Sequence, residues 1–368
     1  MKLRTFLLDE WLEGYEGKIR YNLAASTGPS WNLEDLRRFM TEEENQRLLK
    51  TPLTYQPGHG TESLRQELAA MYGAKADEIQ ITTGAAEALL ALFFLAAEPG
   101  ANVVLPYPGF PPFHAIPESF GLEVRRYNLD ARNGFAFDLD RVASLVDDRT
   151  KLVLVNSPHN PTGAVISESD IRSLEELTVK RGAQLVVDEV YHPIYRGSAP
   201  RSAGEYTRAT ILGDFSKAFS LSGIRVGWIL EREPKRREDY WNARAHFSVS
   251  NNFPGELLAE VAVRNREKIF DRAREVVASN LSILDRLFRE HREILGWVRP
   301  EGGMTAFPWL VEDDNARPFC EAAAAKGVLL VPGDCFGFPS HFRLGFGACA
   351  DGYEKAAEIL SGTVAAVS

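Results

Sequence analysis

The sequence has 368 residues, 45% of them hydrophobic and 25% charged, with 29 glycines and 20 prolines. That balance excludes disordered, collagen-like and coiled-coil chains, and the length suits two domains or a large domain carrying a smaller one. Forty-two Lys and Arg against 51 Asp and Glu leave a net charge of −9, so a nonspecific nucleic-acid binder is not expected. Lys235-Arg236-Arg237 is only a short basic run.

The amino-terminal stretch carries Asp9, Glu10 and Glu13 among its apolar residues, which is unlike a signal peptide. The most apolar run, Ala88 to Ala97, is far below the ~20 residues that span a bilayer, so no membrane association is expected. Cys320, Cys335 and Cys349 form no CxxC pair and are odd in number; a reducing, cytoplasmic setting is expected.

From about Gly58 to Leu230, short apolar runs alternate with amphipathic stretches. In chain order, the runs predict strands at Ile79–Thr82, Asn102–Leu105, Leu122–Tyr127, Lys151–Asn156, Gln184–Asp188, Thr210–Gly213 and Arg225–Leu230. Several are continuously apolar, as strands covered on both faces must be. Helices are predicted between them at Glu62–Tyr72, Ala85–Ala97, Phe110–Phe120 and Glu168–Lys180, the last opened by a Ser167/Asp170 capping box. The alternation implies an α/β fold with a largely parallel sheet.

Past residue 255 the texture changes. One or two long helices are predicted over Gly255–Arg292, then strands at Trp297–Arg299, Met304–Trp309, Gly327–Val331 and His341–Phe346, and a helix at Asp351–Leu360. The division is therefore a 1–45 segment packing with the small domain, a large domain over 46–255, and a small α+β domain over 256–368.

Several chemistries lack their signatures. No GxGxxG follows a strand, and GxxxxGK[ST] and GxSxG are absent; neither the seven histidines nor the cysteines show metal-site spacing. What remains are polar residues at predicted strand ends, where open α/β sheets bind ligands. Gly84-Ala85-Ala86 opens a helix directly after a strand; its free N–H groups suit a phosphate, although a tight turn would equally require Gly84. Asp188 ends a buried strand and needs a cationic or hydrogen-bonding partner, or else caps a helix. Lys217 follows another strand end, where desolvation would lower its pKa and make it a nucleophile, unless it is solvated like most lysines. Asn160 lies in a Pro-rich turn, Asn156 to Gly163.

Taken together, His159-Asn160-Pro161-Thr162-Gly163, Asp188-Glu189-Val190-Tyr191, Ser216-Lys217 and Arg225-Val226-Gly227 resemble the class I/II aminotransferases, pyridoxal-phosphate (PLP) enzymes of fold type I. The resemblance runs from Tyr55 to Gly347 and implies a role for each residue. Lys217 matches the Schiff-base lysine that shuttles the Cα proton, and Asp188 the partner of the pyridine nitrogen. Asn160 and Tyr191 match the pair on the ring hydroxyl. Gly84, Ala85 and Ala86 match the phosphate cradle, Arg225 its arginine clamp, and Phe110 the ring stacked on the cofactor. Tyr55 matches a tyrosine reaching the phosphate of a neighbouring subunit, which implies a homodimer. Arg343 matches the clamp for the substrate carboxylate, and Ser26 and Asn160 join it in substrate binding.

One position departs from the family. Where members usually carry Ser or Thr three residues before the lysine, this chain has Asp214. A carboxylate accepts but does not donate, so weaker or rearranged phosphate binding is expected unless Asp214 is protonated or turned toward Arg225. A narrower resemblance, carried by Ala25-Ser26-Thr27-Gly28, Gly302 to Pro308 and Gly327 to Gly347, is to the subgroup of capreomycidine synthase. It implies elimination and cyclisation of an arginine-like amino acid as the alternative to transamination between an amino acid and a 2-oxo acid. A non-catalytic regulator with this fold is a third reading; it would need a DNA-binding module for which little chain is left. His59, His192 and His246 are candidates for a substrate pocket, with core or surface positions as the alternative.

Overall fold

The computed structural model describes residues 2–367. After a two-residue strand, Tyr21–Asn22 (β1), the apolar runs of the first two-thirds form one sheet. Its strands are Ile79–Thr82 (β2), Asn102–Tyr107 (β3), Glu123–Asn128 (β4), Thr150–Asn156 (β5), Gln184–Asp188 (β6), Thr210–Asp214 (β7) and Gly227–Leu230 (β8). They lie in the order β2-β8-β7-β6-β5-β3-β4. Only β8 runs against its neighbours; the pairs β3–β4, β3–β5, β5–β6 and β6–β7 are parallel.

The period of two along a strand explains why the central runs are almost wholly apolar. Leu152 and Leu154 face one layer of the core, packed with the helix Gly84–Ala96 and with Tyr240. Val153 and Val155 face the other, where Ile171 and Leu174 of the helix Glu168–Arg181 lie. Neither face is exposed, so alternation with polar residues has no place in the central strands. Burying each such side chain contributes about 1.5–3 kcal/mol.

The carboxy-terminal third is built differently. Helices Phe253–Arg264 and Arg266–Glu290 come first, the second burying Ile269, Ala273, Val277, Leu281, Leu284 and Phe288 at helical spacing. Then follow Leu295–Gly296 (β9), Thr305–Ala306 (β10), Trp309–Leu310 (β11), Val328–Leu329 (β12), Val331–Pro332 (β13), Phe342–Gly345 (β14) and the helix Tyr353–Val367. They make three small sheets, β1–β12, β10–β14–β13 and β11–β9. The first ties the amino-terminal segment to this region, and the Trp11 indole donates to the Leu330 carbonyl at 2.7 Å.

Several expected elements are displaced. Trp297–Arg299 is not a strand: β9 lies just before it, and Trp297 stacks on Phe288 at 4.3 Å. Met304–Trp309 divides into β10 and β11 around Pro308, which has no N–H to give a ladder. Gly327–Val331 divides around Leu330. The helix expected from Phe110 begins at Pro112, and that expected over Asp351–Leu360 runs from Tyr353 to Val367. Half of the expected capping box forms: Ser167 accepts from the Asp170 N–H, but its hydroxyl then donates to the Asp170 carboxylate.

Candidate active site

Because β2, β3, β5, β6 and β7 point the same way, their last residues reach one edge of the sheet. A pocket of about 220 Å³ opens there, lined by Ala85, Ala86, Phe110, Asn160, Asp188, Tyr191, Asp214, Lys217 and Arg225 among others. Of the cofactor-binding candidates, only Gly84 and Tyr55 do not line it directly. Gly84 lies behind the wall, with φ +73°, and a Cβ added to it would sit 2.5 Å from Arg225 Nη2; the helix start and the guanidinium meet only because that side chain is missing. Tyr55 is 86% exposed and takes no part in the pocket of its own chain.

Local hydrogen bonds set the polar groups. Asn156 closes β5, donates to the Asp188 carbonyl at 3.0 Å and accepts from the Asn160 N–H at 2.8 Å, which pins the Pro-rich turn to the strand ends. Asp188 is 4% exposed and accepts from the Val190 N–H at 3.1 Å. Burial pushes its carboxyl up to about 7, against the pull of that N–H. Burial lowers the Lys217 amine to about 8, against the attraction of Asp214. Lys217 Nζ donates to Ser26 Oγ at 2.9 Å. Burial also pushes the Tyr191 phenol up to about 12, with the Arg343 guanidinium pulling the other way.

Arg343, in the middle of β14, is 2% exposed. Its Nη2 donates to the Ala24 carbonyl at 2.8 Å and its Nη1 to Asn160 Oδ1 at 3.3 Å, while Nε has no partner. Arg225 has φ +52° and donates to Ser216 Oγ at 3.3 Å and the Ser222 carbonyl at 3.1 Å. That left-handed conformation costs a non-glycine residue on the order of 1 kcal/mol. Asp214 is turned neither to Arg225 nor to solvent: its Oδ1 accepts from the Ser216 N–H at 2.6 Å, and its Oδ2 lies 3.5 Å from Ala85 N.

The structure also brings in groups that the motifs do not mark. Asn156, Ser216, Ser222, Leu89, Phe113 and Val190 line the same pocket, and Phe6 packs edge-on to Phe110 at 6.1 Å. Asn156 has a sequence signal, being the last residue of a predicted strand; Phe6 has none. The three histidines are elsewhere. His59 stacks on Trp241, His192 contacts Tyr195 and His246 is exposed.

The family model for aminotransferases of class I and II matches residues 26–360. The chain belongs to that family. Among curated proteins, capreomycidine synthase from Streptomyces vinaceus is 28% identical, over 92% of this chain and 88% of that protein. Among solved structures, a PLP-dependent aminotransferase from Streptococcus suis has a TM-score of 0.94 at 29% identity, covering 100% of this chain and 99% of that one. A PLP-dependent cyclase, OrfR, has a TM-score of 0.90 at 26% identity with the same coverage. Family and neighbours imply pyridoxal phosphate as the cofactor. The pocket of this class I/II chain fits the group: the helix start faces a guanidinium across Gly84, and the Lys217 amine and the Asp188 carboxyl line the same cavity. Among the described residues no helix is long and apolar enough to cross a membrane, and no side-chain cluster suits a metal ion.

Proposed function

We propose that this PLP enzyme is a cytoplasmic, homodimeric aminotransferase that moves an amino group between an α-amino acid and a 2-oxo acid. The supporting observation is the meeting of Lys217 and Asp188 in one buried pocket, with the amine lowered to about 8 and Arg343 hydrogen-bonded to Asn160 of its wall. Pyridoxal phosphate supplies an aldehyde for amine exchange and a ring that withdraws electrons from the substrate Cα. Lys217 is the group that takes the proton from Cα and returns it; an amine lowered by burial is both free to accept and strong enough to donate. Asp188 holds a proton on the ring nitrogen. Asn160 and Tyr191 orient the ring hydroxyl, and Phe110 covers a ring face. The Gly84–Ala86 backbone and Arg225 hold the phosphate, aided by Tyr55 of a second copy of the chain. Arg343 binds the substrate carboxylate with its planar fork, beside Asn160 and Ser26. Residues 1–45 and 256–368 act as the smaller domain against 46–255.

A second reading is elimination and cyclisation of an arginine-like amino acid. It is favoured by likeness to capreomycidine synthase and to the cyclase OrfR across nearly the whole chain. One experiment separates the two. Purified protein loaded with PLP is incubated with single amino acids, arginine and its Cβ-hydroxyl derivative included, and products are identified by mass spectrometry. Transamination gives a 2-oxo acid and pyridoxamine phosphate in equal amounts. An arginine derivative bearing a hydroxyl on Cβ that is consumed without oxo acid, losing water as a guanidino nitrogen closes onto Cβ, replaces the first reading with the second. Failure to take up PLP overturns both.

A further inference from the structure

We propose that the Asp214 carboxylate competes with the cofactor phosphate for the start of the helix Gly84–Ala96, so that this site discriminates weakly between PLP and unphosphorylated pyridoxal. This rests on the pocket being the PLP site and adds a selectivity that the position of the motifs does not imply.

The geometry leaves the carboxylate little choice. Asp214 is the last residue of β7, is 6% exposed, and lines the pocket. It stands opposite Gly227 of β8. A Cβ on Gly227 would lie 2.8 Å from Ala85 N, so the helix start is pressed against this strand pair. The next residue is fixed too, since the Phe215 N–H donates to the Val226 carbonyl at 3.0 Å. Held in this way, Oδ1 takes the Ser216 N–H and Oδ2 lies 3.5 Å from Ala85 N. The positive end of the helix already faces an anion of the protein's own.

A phosphate monoester brings about −1.5 to −2 charges to the same N–H groups. A Ser or Thr hydroxyl at position 214 would donate to it; an ionised carboxylate only accepts, and two anions repel strongly where water is scarce. Arg225 remains available to the phosphate, since only its Nη1 is engaged, by Ser216 and Ser222; it makes no hydrogen bond to Asp214, so the carboxylate stays unpaired with it and still opposes the phosphate. The phosphate therefore contributes less to cofactor affinity here than a hydroxyl at this position would permit. Asp214 also acts through its charge on Lys217 and Asp188, an effect that PLP and pyridoxal share and that cancels in the ratio of their affinities.

The test compares the parent with Asp214→Ser and the isosteric Asp214→Asn in the cofactor-free protein. Dissociation constants for PLP and for pyridoxal are measured by equilibrium dialysis, and pyridoxal binding also reports that each variant is folded. Removing the charge should raise the pyridoxal-to-PLP ratio of constants by about tenfold or more in both variants, equivalent to about 1.4 kcal/mol. A ratio unchanged or lowered in both variants overturns the proposal while leaving the PLP reading intact. Parent protein that binds neither compound overturns the proposal together with that reading.

Discussion

Strands β5, β6 and β7 deliver Asn156, Asp188 and Asp214 to the pocket as their last residues, whereas Arg343 comes from the middle of the short β14 and Ser26 from a segment with no regular structure. The sheet holds its groups by five- and seven-residue strands buried on both faces. The carboxy-terminal region holds Arg343 through contacts with remote chain, the Leu23 carbonyl accepting the Gly345 N–H at 2.6 Å, and that remote segment is itself shaped locally, Asn22 Oδ1 accepting the N–H groups of Ala24 and Ala25 at 3.1 Å each. A side chain on Gly345 would strike the Ala25 carbonyl. One half of the site is thus rigid because its elements are stable, and the other because distant segments interlock.

The largest expected effect separates chemistry from scaffold. Lys217→Ala should lower turnover by about 10⁴-fold, while the melting temperature of the cofactor-free protein stays level or rises, since a desolvated amine is removed; a fall of many degrees would show that the lysine supports the fold. Leu154→Ala, in the unexposed centre of β5, should cost about 2–5 kcal/mol in denaturant unfolding. Arg343→Lys removes the planar fork but keeps the charge, and KM for the amino acid should rise about 10–100-fold with little change in stability. Asn22→Ala frees the two N–H groups that shape the turn before Ser26; a loss of about 1 kcal/mol, seen as a several-fold lower kcat/KM, would sharpen the idea that this segment positions Arg343 and Lys217. Unchanged kinetics would break it.

The smallest effect is a pH dependence. Burial raises the Asp188 carboxyl to about 7, so the folded, cofactor-free protein holds that proton more tightly than the unfolded chain does. Its stabilisation is present below the ordinary aspartate range and lost as pH rises through about 7. Asp188→Asn should therefore gain on the parent as pH increases, by on the order of 2–4 °C in melting temperature. A difference that is flat with pH would mean that Asp188 is ionised throughout. Glu189, raised to about 7 by burial and also by the Asp188 charge, is coupled to it, so the same comparison is made in a Glu189→Gln background.

Legibility followed the same divide. The central strands β3, β5, β6 and β7 lie where apolar runs place them, because burial on both faces leaves a nearly continuous run of Val, Leu and Ile; the edge strand β4, Glu123-Val124-Arg125-Arg126-Tyr127-Asn128, is largely unburied and carries no such run. Two-residue strands leave no such trace: β9 pairs because Trp309 and Leu310 lie opposite Leu295 and Gly296, not because of its own composition. Within the site, Asn160, Asp188, Lys217 and Arg225 could be found because each stands in a short motif beside a recognisable strand. Phe6 could not, since its contact with Phe110 depends on how the amino-terminal segment packs against a residue 104 positions away.

Composition and order along the chain therefore carry the α/β architecture, the family and the sequence of polar groups at the strand ends, all of which arise from local burial and short motifs. Other features depend on how remote segments meet. Asp214 turns to Ala85 rather than Arg225 because Gly227 lets the helix approach, and Arg343 leans on Ala24 across 319 residues of chain. Tyr55 remains exposed for want of any contact within its own chain that would bury it. No local pattern encodes such meetings, because their free energy comes from surfaces that exist only after both partners have folded.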